Sequence, residues 1–584
     1  MTSSRVTSVL QPSTYIHSGT INPQYDANLQ IVSTKGTVCN WTFLPQQFDK
    51  ERVRISGRFF FDKLKAVDVK MKLVAKPIGL EAFGKSVVIL HIDDAAELGT
   101  RSSGRVQLLH GDKGLTAIVN TTGRIVMRGE VGVYKEVQDA LGLWGGEVVD
   151  VDVASPPTSL SYIRNRLEGR KLNSHEISEI IRDTVRGNLS EIEIASFVTS
   201  LNTFHLDLDE ATSLSMAMVE SGKTLNLNRK LIVDKHSIGG VPGDKTTLVV
   251  VPVIASCGLT IPKSSSRAIT SAAGSADRAE ALMPVNLEIE EVRRVVEKIG
   301  GCVVWGGALQ LAPADDLFVQ VEYPLSIDPL LLPSIVSKKK AVGAEYVVVD
   351  IPLGMGAKVK TIADARLLAR DFMELGKRLG MRIQCAITNG NQPIGHAIGP
   401  ALEAREALET LTRKHSVPDL IDKATDIAGM IIDMTGSVDG KRIAAAALSQ
   451  GKAEKKMREI IAEQGGDQEI KPEDIKVGEK TLGFDSTESG FVLWINSSKL
   501  VETARLAGAP KDKGAGLLLH KKIGDTVHQG EKLLSLYAEK SGKLEKAKEV
   551  LQEERVVMIG HRTEMTMAMI KEVPVYKEPF ILER

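Results

Sequence analysis

Apolar and polar positions change rhythm several times along the 584-residue chain. Residues 1–66 are polar and irregular (TSS, QPST, NPQYDAN) and read as a poorly structured extension; the pattern becomes regular near Met71, a candidate native start. From residue 67 to 154, short β-rich runs (SVVILHI, GRVQLLH, LTAIVN, GRIVMRGEVGVY, GEVVDVDV) alternate with Gly and Asp turns and predict a small β-barrel-like domain. Ala154–Ser161 (ASPPTSLS) is a proline-bearing linker. Helical spacing follows over 155–227: Asn173 and Glu176 make a capping box ahead of Ile177, Ile180, Ile181 and Val185. Ser190 and Glu193 make a second box, and DLDEATSLSMAMVESG reads as a third helix.

Residues 228–483 alternate apolar runs with helical patterns (LVVVPVIASCG, LEIEEVRRVVEKIGGCVVWGG, YVVVDIP, MRIQCAITN), predicting an α/β domain with a largely parallel sheet. The run LVVVPVIA is compatible with strand or buried helix. Residues 484–584 return to short strands and turns (GFVLWINS, GAGLLLHKKIGDTV, GEKLLSLYA, KEVPVYKEP), predicting a C-terminal α+β module. The fold class expected is therefore multidomain α/β, with a helical lobe between a β-rich first domain and the main sheet.

Within this frame one stretch is chemically distinct: Asp234–Thr247, DKHSIGGVPGDKTT. Its glycines let successive N–H groups converge on one point, and Lys235, Ser237, Lys245, Thr246 and Thr247 add donors, which suits phosphate or another small oxyanion. A triphosphate loop is excluded, because Asp244 separates Gly243 from Lys245 and breaks G-x-x-x-x-G-K-[ST]. A solvated glycine turn is the plain alternative.

Composition narrows the partners. Lys plus Arg equals Asp plus Glu at 74 each, so no global field favours a nucleic-acid polymer or an anionic membrane, and only local positive charge is available to a small anionic substrate. No apolar run reaches the roughly 20 residues of a membrane span. The four cysteines, Cys39, Cys257, Cys302 and Cys385, form no C-x-x-C pair, which points to a reducing cytoplasm and away from a zinc site.

Three further stretches carry candidate chemistry. Ser264–Ser275 (SSSRAITSAAGS) combines six hydroxyls with Arg267, whose guanidinium could fork onto a phosphate; a Ser-rich loop is the alternative. Gly306–Asp316 (GGALQLAPADD) ends in Asp315 and Asp316, both read as a helix cap or solvated turn. Leu325–Lys340 places Asp328 in an apolar setting before Pro329, where desolvation would favour the neutral acid, a proton donor; taken alone it also reads as a cap or turn residue. Ser334 and Lys338 are i, i+4 and share one helical face.

Taken together and in order, DKHSIGGVPGDKTT, SSSRAITSAAGSADR, GGALQLAPADD, LSIDP, SKK and GMGAKVK resemble the thymidine phosphorylase family, and within it the archaeal branch that uses nucleotides. The resemblance runs from about Met71 to the C-terminus. It implies a helical lobe plus a large α/β lobe of the nucleoside phosphorylase type, with residues 316–341 returning to the helical lobe across a cleft. The implied reaction is phosphorolysis of a nucleoside 5′-monophosphate, AMP first and CMP or UMP also, to free base and ribose 1,5-bisphosphate. By the same resemblance Lys235, Ser237, Thr247 and Ser275 hold inorganic phosphate. Gly240, Ser266, Arg267, Ala268, Ile269, Thr270, Ser271, Ser275, Ser334 and Lys358 bind the nucleotide, and Asp328 donates a proton to the leaving base. His236 and Lys338 support the site. No cofactor or metal is implied, and a homo-oligomer is expected, with the C-terminal module as a contact.

Two departures from the pyrimidine-nucleoside members favour a substrate carrying its own 5′-phosphate. Glu322 stands nearest to the arginine with which they grip the pyrimidine, and SSRAITSAAGS replaces their GRGLGHTGG-like stretch. The match of Ser334 crosses a short gap after Asp328. A pyrimidine-nucleoside phosphorylase and a non-catalytic nucleotide-binding protein are the competing readings; AMP but not adenosine as substrate excludes the first, and turnover excludes the second.

Overall fold

The computed structural model describes residues 70–561, except 83, 270 and 554, and the backbone of two paired antiparallel strands, Leu29–Val32 and Val38–Trp41. Apart from those strands, the extension expected over 1–66 lies outside the described residues, as does the run KEVPVYKEP. The chain divides into two compact units, Met1–Asp68 and Val69–Arg584.

The second unit begins with a closed six-stranded barrel. Met71–Pro77 pairs with Glu130–Val133, then come Val87–His91, Lys113–Thr122, Arg105–His110 and Val148–Val153, which closes onto the first strand. Alternation drives this closure: Val88 and Leu90, Val106 and Leu108, Ala117 and Val119 all point inward and are fully buried. Of the run GRIVMRGEVGVY only Glu130–Val133 pairs as a strand, and Met71–Pro77 is a strand the sequence reading did not single out.

Four helices follow, Ser159–Leu167, Ser174–Val185, Glu191–Phe204 and Leu208–Ser221, and the boxes at Asn173/Glu176 and Ser190/Glu193 both form. Helix Pro313–Leu325 joins them, placing Phe318 in the bundle core with its ring centroid 5.9 Å from that of Phe197. The next helix, Leu331–Ala341, sends Ile335, Val336 and Ala341 into the α/β core instead.

The α/β lobe has parallel strands in the order Arg382–Asn389, Tyr346–Leu353, Val233–Ser237, with a second parallel pair, Ile261–Ser265 and Gly301–Trp305. The ambiguous apolar run is a helix, Thr246–Ser256, buried along almost its whole length in the largest core of the molecule. A helix apolar on every side is stable only when enclosed. C-terminal to this lobe, Gly516–Leu519, Lys532–Ala538 and Lys480–Asp485 form a sheet that also takes the short strand Ala397–Ile398 from the α/β lobe. Thr526–Val527, Gly490–Ile495 and Val557–Gly560 make a second sheet, flanked by helices Ser497–Leu506 and Ser541–Glu553.

Candidate active site

The strand Val233–Ser237 delivers Lys235, His236 and Ser237 to the carboxyl end of the parallel sheet, in register with Val348, Val349 and Asp350. Ligands of open α/β sheets gather at that edge. The chain then turns through Gly240 (φ 90) and Gly243 (φ 73), left-handed conformations that side chains resist. Neither position has room for a Cβ, which would stand 2.7 Å from the Lys358 backbone nitrogen at Gly240 and 2.6 Å from the Ile394 carbonyl oxygen at Gly243. Helix Thr246–Ser256 begins directly after this loop; Asp244 Oδ1 accepts from the Thr246 N–H at 3.3 Å, and the helix start, with the Thr247 N–H, faces the loop.

Around that turn the donors converge. Ser275 Oγ donates to Thr247 Oγ1 at 3.3 Å, and Arg278 reaches Ser275 Oγ at 3.4 Å. Lys235 is only 2% exposed; its backbone N–H donates to Asp234, and its ammonium makes no hydrogen bond or ion pair among the described residues. Burial pulls its pKa down, against the attraction of Asp244 and Asp350. Burial, together with Lys339, Lys263, Lys338 and Lys235, keeps the neighbouring His236 neutral. Lys245, read from the sequence as one of the loop donors, turns the other way: its Nζ donates to the carbonyls of Ile394 (2.8 Å) and Ala397 (3.1 Å) and pairs with Glu406. It holds the loop to the lobe.

Asp328 stands on the turn after helix Pro313–Leu325. The expected apolar setting is not observed. Leu330 turns into the bundle core and Ile327 packs against it, which leaves the Asp328 side chain outward, 43% exposed, with Lys358 Nζ donating to its Oδ2 at 2.9 Å. The desolvated acid of this neighbourhood is Glu322, whose Oε1 accepts from the Leu330 N–H at 3.3 Å. Burial, reinforced by the carboxylates of Asp328 and Asp315, pushes Glu322 up to about 8. Asp315 also departs from the expectation of a cap or solvated turn. It is fully buried and pairs with Lys338, whereas Asp316 is exposed. Burial alone would lower the Lys338 pKa, but Asp315 outweighs it and the group is held charged. Ser334 sits one turn earlier on the same helix, and Lys339 ties that helix to the first strand by an ion pair of 2.7 Å to Asp234.

The segment 266–275 is wound around Asp277, whose Oδ2 accepts from the N–H groups of Ala268 (2.7 Å) and Gly274 (2.9 Å). Arg267 does not offer its guanidinium to an anion. It is forked onto Glu280 at 2.8 and 2.6 Å, bonds Asp277 at 3.2 Å and lies over the Trp305 ring. Ile269 is 41% exposed; Thr270 lies outside the described residues. Arg505, from the C-terminal domain, donates to the carbonyls of Ile269 at 2.7 Å and Ser271 at 3.3 Å. A cavity of about 750 Å³ opens between these parts, with Gly240, Ser271 and Lys358 on one side and Ser497 and Arg505 on the other. The structure thus gathers Lys235, Thr247 and Ser275 beside the glycine loop. Lys358 links Gly240 and Ser271 to Asp328, and Ser334 and Lys338 lie on one helix. Ser266 adjoins this group through its carbonyl, which accepts from the Ala276 N–H at 3.3 Å.

Three domain families match in chain order: the glycosyl transferase family helical bundle domain over residues 160–222, the glycosyl transferase family a/b domain over 229–454, and the pyrimidine nucleoside phosphorylase C-terminal domain over 491–557. An AMP phosphorylase of Thermofilum pendens is 48% identical over 516 residues, spanning 88% of this chain and 100% of that protein. The chain belongs to the AMP phosphorylase family. AMP phosphorylases of Thermococcus kodakarensis (46% identical; 86% of this chain, 97% of that protein) and Pyrococcus furiosus (48%; 80% and 93%) are similar to it over nearly the same extent.

Around this candidate site of an AMP phosphorylase family member stand residues that the sequence either did not single out, Arg278 and Arg505, or placed in another environment, Asp315 and Glu322. Arg278 lies three positions beyond Ser275 in the quoted run SAAGSADR, and its charge is held by Glu403. Asp315 and Glu322 are spaced two turns apart on one helix, a pattern that reads as buried only once that helix is known to enter the bundle core. Arg505 left no local signal, since its partners stand more than 230 residues away.

Proposed function

We propose that this chain catalyses the phosphorolysis of AMP to adenine and ribose 1,5-bisphosphate, with CMP and UMP as secondary substrates. The observation that carries this reading is Lys235: a buried ammonium with no protein counter-charge bonded to it, beside paired hydroxyls and the start of a buried helix. Inorganic phosphate is the ligand that matches those donors. In the reaction the C1′–N9 bond breaks, its electron pair goes to the base, and a phosphate oxygen bonds to C1′. Lys235, Ser237, Thr247 and Ser275 hold the phosphate below C1′, where its charge stabilises the oxocarbenium-like ribosyl group before it attacks. Asp328, once Lys358 has left it, takes up a proton from solvent before the lobes close and passes it to the departing adenine at N7. Lys358 leaves Asp328 for the nucleotide, and Gly240 with Ser266–Ser271 and Ser334 frames the substrate. Asp315 fixes Lys338 toward the base side, and neutral His236 spaces the strand end without adding charge. Closure of the helical lobe over the α/β lobe excludes water, so the product is a sugar phosphate. We place this activity in a cytoplasmic homo-oligomer.

The test is adenine release from AMP with and without inorganic phosphate, with the sugar product identified by phosphorus NMR. Phosphate-dependent release with a bisphosphorylated pentose is expected. Equal release without phosphate, or binding of AMP without turnover, overturns the assignment.

A further inference from the structure

The C-terminal wall of the 750 Å³ cavity has polar chemistry to which the proposed mechanism gives no role. Helix Ser497–Leu506 lies along the cavity, with Ser497 and Ser498 of its first turn and Glu502 and Arg505 further along on the lining. Its cap, Asn496, accepts from the Lys499 N–H at 3.2 Å, one turn in, and leaves the earlier N–H groups of that turn to the cavity side. Ser497 is only 3% exposed, yet its Oγ has no hydrogen-bond partner among the described residues. Buried hydroxyls are nearly always satisfied, so an unsatisfied one on a cavity wall marks a place for a ligand acceptor. Gly356 of the opposite wall packs closely against this side chain: a Cβ there would stand 3.0 Å from Ser497 Cβ and 3.1 Å from its Oγ, so only glycine leaves space beside the hydroxyl.

Charge on this wall has the matching sign. Arg505 spends one nitrogen on the carbonyls of Ile269 and Ser271 and has no carboxylate partner among the described residues. Lys358 and Lys360 add two cations from the facing loop, and the lining carboxylate Glu502 is paired with Lys499 at 3.0 Å. A planar donor fork, a helix start and a hydroxyl together recognise a phosphate dianion.

We propose that Ser497, the first-turn N–H groups of helix Ser497–Leu506 and Arg505 form a phosphomonoester subsite, through which the C-terminal domain grips the 5′-phosphate of the nucleotide. This rests on the nucleotide reading given under the proposed function. It makes the C-terminal domain part of substrate selection, and separates two phosphate positions: inorganic phosphate at Lys235 and the phosphomonoester at Ser497.

Calorimetric titration of the full chain with ribose 5-phosphate and with ribose, alongside KM for AMP and for inorganic phosphate, tests this in Ser497→Ala and Arg505→Ala. Each variant is expected to weaken ribose 5-phosphate binding and raise KM for AMP by about tenfold or more, while KM for inorganic phosphate moves less than about twofold. Because Arg505 also braces residues 269–271, the decisive variant is Ser497→Ala, which touches none of that bracing. Unchanged ribose 5-phosphate binding in Ser497→Ala overturns the subsite. So does a rise confined to the KM for inorganic phosphate, which would assign the wall to the attacking anion. Failure of the parent chain to release adenine from AMP would sink the nucleotide reading instead; Ser497-dependent binding of ribose 5-phosphate would still uphold the subsite.

Discussion

Replacing Glu322 by glutamine should stabilise the protein, and increasingly so as the pH rises. Glu322 is 7% exposed, and its carboxyl is pushed from an ordinary 4.5 up to about 8, first by burial and then by Asp328 and Asp315. Above pH 4.5 the unfolded chain releases this proton, whereas the folded chain keeps it until about pH 8. The native state therefore binds more protons across that window, and its stability falls as the pH rises. At 1.36 kcal/mol per pH unit the penalty is about 1 kcal/mol at pH 5, about 3 kcal/mol at pH 7 and about 4 kcal/mol at pH 8. Glutamine stays neutral throughout and keeps an oxygen to accept the Leu330 N–H. Differential scanning fluorimetry of parent and Glu322→Gln at pH 5 and pH 8 should show a gain of about 1 °C at the lower pH and of roughly 4 °C at the higher, since at about 2.1 cal/mol/K of unfolding entropy per residue a kilocalorie moves Tm by only about 1 °C in a chain this long. An increment that is the same at both pH values, or a loss that grows with pH, refutes the assignment of Glu322 as the neutral buried acid.

Asp328→Asn should retain AMP binding and lose about 10²–10⁴-fold in kcat, because an amide cannot protonate the leaving base; a kcat within a factor of a few of the parent removes Asp328 from the mechanism. Lys235→Ala should raise KM for phosphate by one to two powers of ten, about the worth of a charged hydrogen bond, and leave AMP binding nearly unchanged; equal damage to both substrates contradicts its role. Asp315→Asn strands the Lys338 ammonium at a largely buried position and should cost about 3 kcal/mol in urea unfolding; an undiminished midpoint would show that the pair contributes nothing.

The glycine loop, both capping boxes and the alternating strands of the barrel were legible because each is written in neighbouring residues. Asn173 and Glu176 satisfy one another over three positions, and Gly240 and Gly243 occupy backbone conformations that their identity announces. The placement of Lys235 and Ser275 beside the glycine loop was legible from residue type and order alone. It was misread where the deciding partner is remote. Arg267 looked like an anion ligand until Glu280 and Trp305 were seen to claim it. Lys245 looked like a loop donor until Glu406, 161 positions away, was found beneath it. Asp328, expected in an apolar setting, is exposed, and Glu322 is the buried acid instead, because burial depends on which side of a turn packs into the bundle, and the run YPLSIDPLLLP has apolar residues on both sides of that turn. Local patterns fix hydrogen-bonded geometry, whereas counter-ions and solvation are set by tertiary packing.

The strand Ala397–Ile398 has a consequence for how the molecule moves. It belongs to the α/β lobe by sequence but is laddered to Gly516–Leu519, and Lys522 adds a bond of 2.7 Å to the Gly395 carbonyl beside it. Swinging the C-terminal domain outward would unzip that ladder and expose Ile398 and Ala272 from the core they share with it. The ladder and the shared core therefore oppose any movement of the C-terminal domain relative to the α/β lobe. A chain truncated after about residue 479 would leave the two-residue strand Ala397–Ile398 without its ladder and expose Ile398 and Ala272, and should aggregate more readily than the full chain.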